Sequence, residues 1–549
     1  MLQSAAPDDE PLEQDAAEPG TDADPAIARW FLERHERGNP ATGLRNLSTG
    51  NAVRPLVDGG EYFPRLLEEL RATRSGDHVY LADFRGDLQE RLDGPGTEIG
   101  RVLADASERG VLVFGLLWRS QPRVFEQSEE ANAEFVRHID EHDGDVLLDS
   151  RTRRAGSHHQ KLVVIRRPGD PAHDVAFVGG IDLGLSRGDT HDHDGDPQVM
   201  EFPRAYGPRP PWHDLQAEVR GPAVHDLEHT FRERWYGSST LDVPSPVRQL
   251  YDRAYHAGAL THRPLPEPLP EDGTPRGGCA VQVLRTYPAR LRRYPFAPHG
   301  ERSIAAAYRK ALAQARSFVY VEDQYLWSRS VAAVFAEALR AHPGLRLVVV
   351  LPRFGDREGR LAEAAEHGRS EAVRVLRAAG GDRVRVYDVE NEQGTPVYVH
   401  AKVVVVDDVW AMIGSDNLNR RSWTHDSELS IAVLDAEHDD RAPTDPAGTG
   451  DVARRFARDL RLRLAREHLG LEDAASLVDP EQWLDCLASR ADSLAAWHRT
   501  GRSGPRPPGH LVPHVDRAEV RHPLWARALY RLLMDPDGRA WRDRLRGRP

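Results

Sequence analysis

At 549 residues, 40% hydrophobic and 29% charged, with a net charge of −13, the chain is long enough for more than one core and too acidic for broad, sequence-independent nucleic-acid binding. Two cysteines, Cys279 and Cys486, exclude a disulfide framework or a thiolate metal cluster, and no run of about 18 uncharged apolar residues suggests a membrane span. The start, MLQSAAPDDEPLEQDAAEPG, has neither the basic nor the apolar region of a signal peptide. Residues 1–25 are therefore expected to be the acidic disordered tail of a cytoplasmic protein.

In chain order, Tyr62, Phe63, Leu66, Leu67 and Leu70 have amphipathic-helix spacing and lead through Ser75-Gly76-Asp77 into a strand over 78–84. A helix over about 99–109 stops at Gly110, and 111–118 reads as a buried strand. His159-Gln160-Lys161 precedes the apolar run 162–165, and 175–180 completes a strand pair. After a Pro-, Gly- and acid-rich linker, 264–278, the order returns: helix 303–314, strand 318–325, helix 331–341, strand 345–351. His400-Ala401-Lys402 then enters the apolar run 403–406, Asp407-Asp408 supply a turn, and Gly414-Ser415-Asp416-Asn417 closes the next strand. VYLADF echoes VYVEDQY, and Tyr80 precedes His159 by nearly the distance from Tyr320 to His400. The chain is an internal duplication of α/β units with largely parallel or mixed sheet.

Lysine usage sharpens the match. Among 73 lysines and arginines only Lys161, Lys310 and Lys402 are lysine, and two of these stand two residues after a histidine. An ammonium is a compact point charge, whereas a guanidinium fork would crowd a small site. Downstream of each H-x-K, Trp212-His213-Asp214 resembles Thr424-His425-Asp426, with Glu428 following.

Two histidines, two lysines and carboxylates behind them suit substitution at phosphorus. One imidazole attacks and forms a phosphohistidine while the other protonates the leaving oxygen. Lys161 and Lys402, with Asn417 and the Ser415 hydroxyl, would hold the non-bridging oxygens. Asp214 and Asp426 are the candidates to accept a bond from each histidine's other ring nitrogen. Gly180, Asp182, Asp407 and Glu428 complete the expected supporting set. Such chemistry needs no metal and no cofactor.

At these residues the chain resembles the phospholipase D superfamily, whose signature is a repeated H-x-K-x4-D followed by G-[SG]-x-N. His400, Lys402, Asp407 and Gly414 to Asn417 match in full; His158 to Ile165, Gly179 to Leu183 and Pro211 to Asp214 look like the eukaryotic-type phospholipases D. The resemblance implies two tandem, pseudo-twofold-related α/β halves packed into one bilobal unit, 26–263 and 279–435. They would share one active site and be followed by a mostly helical C-terminal extension, 436–549. It also implies His159 as nucleophile and His400 as general acid. Two departures stand out: Arg166 replaces the first motif's Asp, in a longer turn where Asp170 or Asp174 takes over its contacts, and Asp182 replaces the amide found at Asn417.

The expected activity is hydrolysis of a glycerophospholipid to phosphatidic acid and free headgroup, with transphosphatidylation as a variant. The alternatives are a cardiolipin synthase-like phosphatidyl transferase, a nuclease of the same superfamily and an inactive anionic-lipid binder. The partners implied are phospholipid and a transient membrane surface, not nucleic acid. His158 reads as a hydrogen-bonded neighbour, the run 189–196 as a solvated polar loop rather than a metal site, and Trp118, Tyr206, Trp212, Trp327 and Trp423 as aromatics either packing or lining a headgroup pocket.

Overall fold

The structure, a computed structural model, describes residues 24–120, 126–153, 155–236, 263–271, 273–291, 293–515, 523–540 and 544. Most of the expected acidic tail lies outside these residues; its end does not stay irregular, because Asp24 caps a helix Pro25–Trp30. The first half contributes β1 (Ser48–Val57), β2 (His78–Asp83), β3 (Leu112–Trp118), β4 (Asp145–Asp149), β5 (Leu162–Arg166), β6 (Val175–Gly179), β7 (Trp212–His213) and β8 (Leu215–Arg220). The second contributes β9 (Cys279–Tyr287), β10 (Glu301–Arg302), β11 (Phe318–Glu322), β12 (Arg346–Leu351), β13 (Val384–Val389), β14 (Tyr398–Val399), β15 (Val403–Val406), β16 (Trp410–Gly414) and β17 (Glu428–Asp435), and the extension adds β18 (Leu511–Pro513).

One mixed sheet runs through both halves in the order β18-β13-β12-β11-β15-β16-β17-β9-β1-β8-β6-β5-β2-β3-β4, with β10 on β9. Outward from the β9–β1 junction, the two sides correspond strand for strand as far as β13 and β4, with β18 of the extension added beyond β13, so the duplication becomes a pseudo-dyad through a continuous sheet. β2-β3-β4 and β11-β12-β13 are parallel, and the strands nearer the dyad are antiparallel. A second, two-stranded ribbon pairs β7 with β14 and so ties one half to the other.

Apolar runs such as Val403 to Val406 are buried throughout because both faces of the sheet are covered. Alternate side chains then serve different cores. Leu162, Val164, Val403 and Val405 enter one cluster that spans both halves. Val163 and Ile165 face a cluster confined to the first half, and Val404 and Val406 one centred on the second. The shared cluster is closed by helix Ala223–Trp235 and by helices Arg455–Leu469 and Pro480–Arg499 of the extension. The extension is thus part of the common core. Its docking point is Asp408 in the β15–β16 turn, buried between Arg458 (2.9 Å) and Arg461 (2.7 Å).

The neighbouring Asp407 explains the departure in the first motif. Its carboxylate accepts the backbone N–H groups of Arg316, Ser317 and Phe318 at 2.7, 2.9 and 2.8 Å, holding the turn against the segment that enters β11. It is a structural residue. In the first half Arg166 takes another route, pairing at 2.7 Å with Asp174 and also with Glu228 of the covering helix, while the exposed Asp170 carboxylate pairs with His173. Asp407→Asn is expected to cost about 1–3 kcal/mol, because one acceptor becomes a donor facing buried N–H groups. Denaturant midpoints should move while turnover per folded molecule stays constant.

Candidate active site

The two H-x-K segments meet across the pseudo-dyad, and the backbone crosses between halves to hold them. His159 N–H donates to Ser427 O at 2.9 Å, and His400 N–H donates to His213 O at 2.7 Å. Each imidazole is then fixed by a carboxylate from the opposite half. His400 Nδ1 lies 2.6 Å from Asp214 and His159 Nδ1 lies 2.9 Å from Glu428. Where the carboxylate is ionised, Nδ1 donates to it and Nε2 presents its lone pair to the site. His159 keeps 14% of its side chain exposed, enough to be reached by a ligand.

Asp426, expected to hold an imidazole, does not. Its carboxylate is taken by Arg421 at 2.7 Å and by the N–H of Ser157 at 2.8 Å. The hydrogen-bond register gives the reason. Gly180 N–H donates to Leu215 O as Ser415 N–H donates to Leu429 O, so Leu215 corresponds to Leu429 and Asp214 to Glu428. The shared His-Asp dipeptide is out of register by one strand period.

Gly180 and Ser415 also differ from their expected roles as phosphate ligands. Both backbone N–H groups are spent in the sheet. A Cβ at Gly180 would lie 2.1 Å from an oxygen of Asp214, so glycine makes room for that carboxylate. Ser415 instead donates its hydroxyl to Glu428 at 2.6 Å. Asn417 is buried, and among the described residues its amide oxygen has no hydrogen-bond partner.

Lys161 sits 3.1 Å from Asp182, whose other oxygen is 3.2 Å from Arg187. Burial alone would raise the Asp182 carboxyl, but Lys161 and Arg187 hold it below the usual range. Arg187, which the sequence reading missed, therefore neutralises the acid standing where the second half has an amide. Asp83 and Asp323, at the carboxyl ends of β2 and β11, fix the two loops by accepting the N–H groups of Leu183 (3.0 Å) and Leu418 (2.8 Å). The echoed strand sequences carried that signal.

Aromatic rings flank the imidazoles. Phe84 meets His159 edge-on at 5.2 Å and stacks on Trp118 at 4.7 Å; Trp212 lies 5.2 Å from His400 and 4.7 Å from Tyr398. Tyr206 packs behind Tyr398. Trp327 stacks on Tyr325 and Trp423 on Tyr308, as packing residues. His158 is buried and bonded to Gln160 at 3.2 Å. The run 189–196 is only partly solvated: Thr190, His191, Asp192 and Asp194 are exposed, but Asp189, His193 and Asp196 are buried, and Asp189 caps the N–H groups of Gly195 and Trp212.

Burial, then the ammonium groups, hold both imidazoles well below their ordinary range, and burial draws Lys402 down to about 8. Burial also raises Glu428 to about 8. An arriving anion raises the pKa of each nearby base. Binding of sulfate, which carries no proton of its own near neutrality, is therefore expected to take up protons near pH 8, where Lys402 is half charged. Toward pH 6 the share taken up by Lys402 falls as it becomes charged beforehand, and the imidazoles, neutral in the free site, become the acceptors. Calorimetry in buffers of different ionisation enthalpy reads it; proton release at pH 8 would contradict the assignment.

A family model described as Phospholipase D matches residues 91–257, and one described as Cardiolipin synthase, PLD-like domain, matches residues 308–442. The chain is 26% identical to phospholipase D alpha 1 of Vigna unguiculata, over 80% of this chain and 67% of that one. It is 26% identical to phospholipase D1 of Saccharomyces cerevisiae, over 83% of this chain but only 31% of the yeast protein. The crystal structure of phosphatidylserine synthase from Haemophilus influenzae Rd KW20 aligns with a TM-score of 0.47 at 15% identity, covering 71% of this chain and 85% of that one.

Proposed function

Because the chain belongs to the phospholipase D superfamily, we propose that it is a phosphodiesterase cleaving glycerophospholipids to phosphatidic acid and free headgroup. The observation that carries the reading is the crossed pairing of His159 with Glu428 and His400 with Asp214 around Lys161 and Lys402. His400 takes up a proton on Nε2 as the anionic phosphodiester binds and raises its proton affinity; His159 Nε2 then attacks phosphorus, the bond to the headgroup oxygen breaks, and that proton leaves with the headgroup. His400, now neutral, takes a proton from water as its oxygen attacks phosphorus and the P–N bond to His159 breaks. Lys161, Lys402 and Asn417 bind the non-bridging oxygens, where charge grows in each transition state.

Water and alcohols compete for the same intermediate, and the description attached to the match over 308–442 favours a transfer reaction as the second reading. Among the described residues no helix is long and apolar enough to cross a membrane. Mass spectrometry of the protein with mixed phospholipid micelles, with and without a short primary alcohol, tests both. Phosphatidic acid diverted to a phosphatidyl-alcohol supports the phosphohistidine route. Product formed only when a lipid alcohol is supplied favours a transferase, and no lipid product in any arm overturns the lipid assignment.

A further inference from the structure

Behind His400 lies a second cluster that the proposed chemistry does not use. Asp58 follows β1, His193 comes from the run 189–196, His213 from β7 and Glu467 from helix Arg455–Leu469 of the extension. All four are buried or nearly so, and each offers a ligand atom within 4.8 Å of the others. His213 Nδ1 is 3.0 Å from Glu467 Oε1 and 3.1 Å from Asp58, and His193 Nε2 is 3.3 Å from the same Glu467 oxygen. Among the described residues Asp58 Oδ2, His193 Nε2, His213 Nδ1 and Glu467 Oε1 are buried and make no well-aligned hydrogen bond.

The far side of each ring fixes which nitrogen faces inward. His213 Nε2 lies 2.7 Å from Glu322, and His193 Nδ1 lies 3.2 Å from the carbonyl oxygen of Trp212. A carbonyl only accepts, so His193 carries its proton on Nδ1 and turns the Nε2 lone pair inward; the Glu322 bond does the same for His213 Nδ1. Metal-binding histidines are oriented in this way by carboxylates and backbone carbonyls. Ligands bonded at about 2.0–2.1 Å to one tetrahedral ion stand about 3.3 Å apart, close to the three contacts above within a set that spans up to 4.8 Å. Two neutral imidazoles and two carboxylates also balance one divalent charge.

We propose that Asp58, His193, His213 and Glu467 bind one divalent transition-metal ion of the zinc class, as a structural site. Mixed nitrogen and oxygen ligands suit such an ion better than calcium or magnesium. Its position gives it a second consequence. Two hydrogen bonds join Asp58 to Asp214: the Asp58 N–H donates to Asp214 O at 2.9 Å, and the Asp214 N–H donates to the Asp58 carboxylate oxygen Oδ1 at 3.1 Å. His213 O meanwhile accepts the His400 N–H at 2.7 Å. The ion would brace the carboxylate that orients His400 and pin the extension to the first half. The competing state has a proton on each imidazole in place of the metal.

Elemental analysis of the full-length protein after exhaustive dialysis against metal-free buffer separates the two. About one zinc-class ion per chain is expected, lost in His193→Ala and in Glu467→Gln and kept in His191→Ala, whose side chain is exposed on the same run. Protein stripped with a strong chelator should melt at lower temperature, regain its melting point with Zn2+ alone, and with Co2+ show the visible bands of a four-coordinate ion. Less than stoichiometric metal, together with no response of the stripped wild-type protein to Zn2+ or Co2+, would establish the protonated network and overturn the proposal. Because metal content is read directly, the outcome is independent of whether the protein cleaves phospholipid.

Discussion

His159→Ala and His400→Ala are each expected to lower turnover of a natural phospholipid by on the order of 10^4-fold or more, since members of one catalytic unit are not additive. Both rings stand at the ligand-facing surface of a preformed core, so melting temperatures should change little. The two variants are expected to separate on a diester with a nitrophenolate leaving group, which departs without a proton. There His400→Ala should still release a burst of nitrophenol as the covalent intermediate forms, while His159→Ala gives none. A burst from His159→Ala and none from His400→Ala would exchange the two roles. Bursts from both would end the covalent mechanism.

The crossed carboxylates give the second large effect. In Asp214→Asn or Glu428→Gln the new amide can donate to Nδ1, moving the ring proton to Nε2 and removing the lone pair the mechanism needs. A fall of about 10^2–10^4 in kcat with little change in KM is expected. Asp426→Asn should fall less than tenfold, because its carboxylate holds Arg421 and the Ser157 N–H rather than an imidazole. If Asp426→Asn were as damaging as Glu428→Gln, the pairing of His159 with Glu428 would not be the one that matters.

The duplication was legible because short continuous apolar runs and the scarce lysines mark the same two places. The supporting residues were less so. His213-Asp214 and His425-Asp426 are identical dipeptides, yet the sheet aligns Asp214 with Glu428, and only cross-strand hydrogen bonds show a displacement of one strand period. Arg187 escaped notice because a lone arginine in an arginine-rich chain carries no signal until Asp182 is seen 3.2 Å away. His193 and Glu467 are separated by about half of the chain, and no local spacing brings them together. The extension looked like an appendage because its contribution to the core lies in long-range packing around Asp408.

Fusing two halves into one chain has a chemical consequence. Two identical halves related by a true twofold would give both imidazoles the same neighbours and the same proton affinity, so neither could specialise. Here the substitutions beside the rings have drifted apart: glycine with aspartate next to one, serine with glutamate next to the other, and a cation-bound acid opposite an amide. A single polypeptide can keep such unequal surroundings where a symmetric pair cannot. Division of labour between attacker and proton donor thus becomes heritable, and specificity for the group that leaves can evolve on one side without disturbing the other.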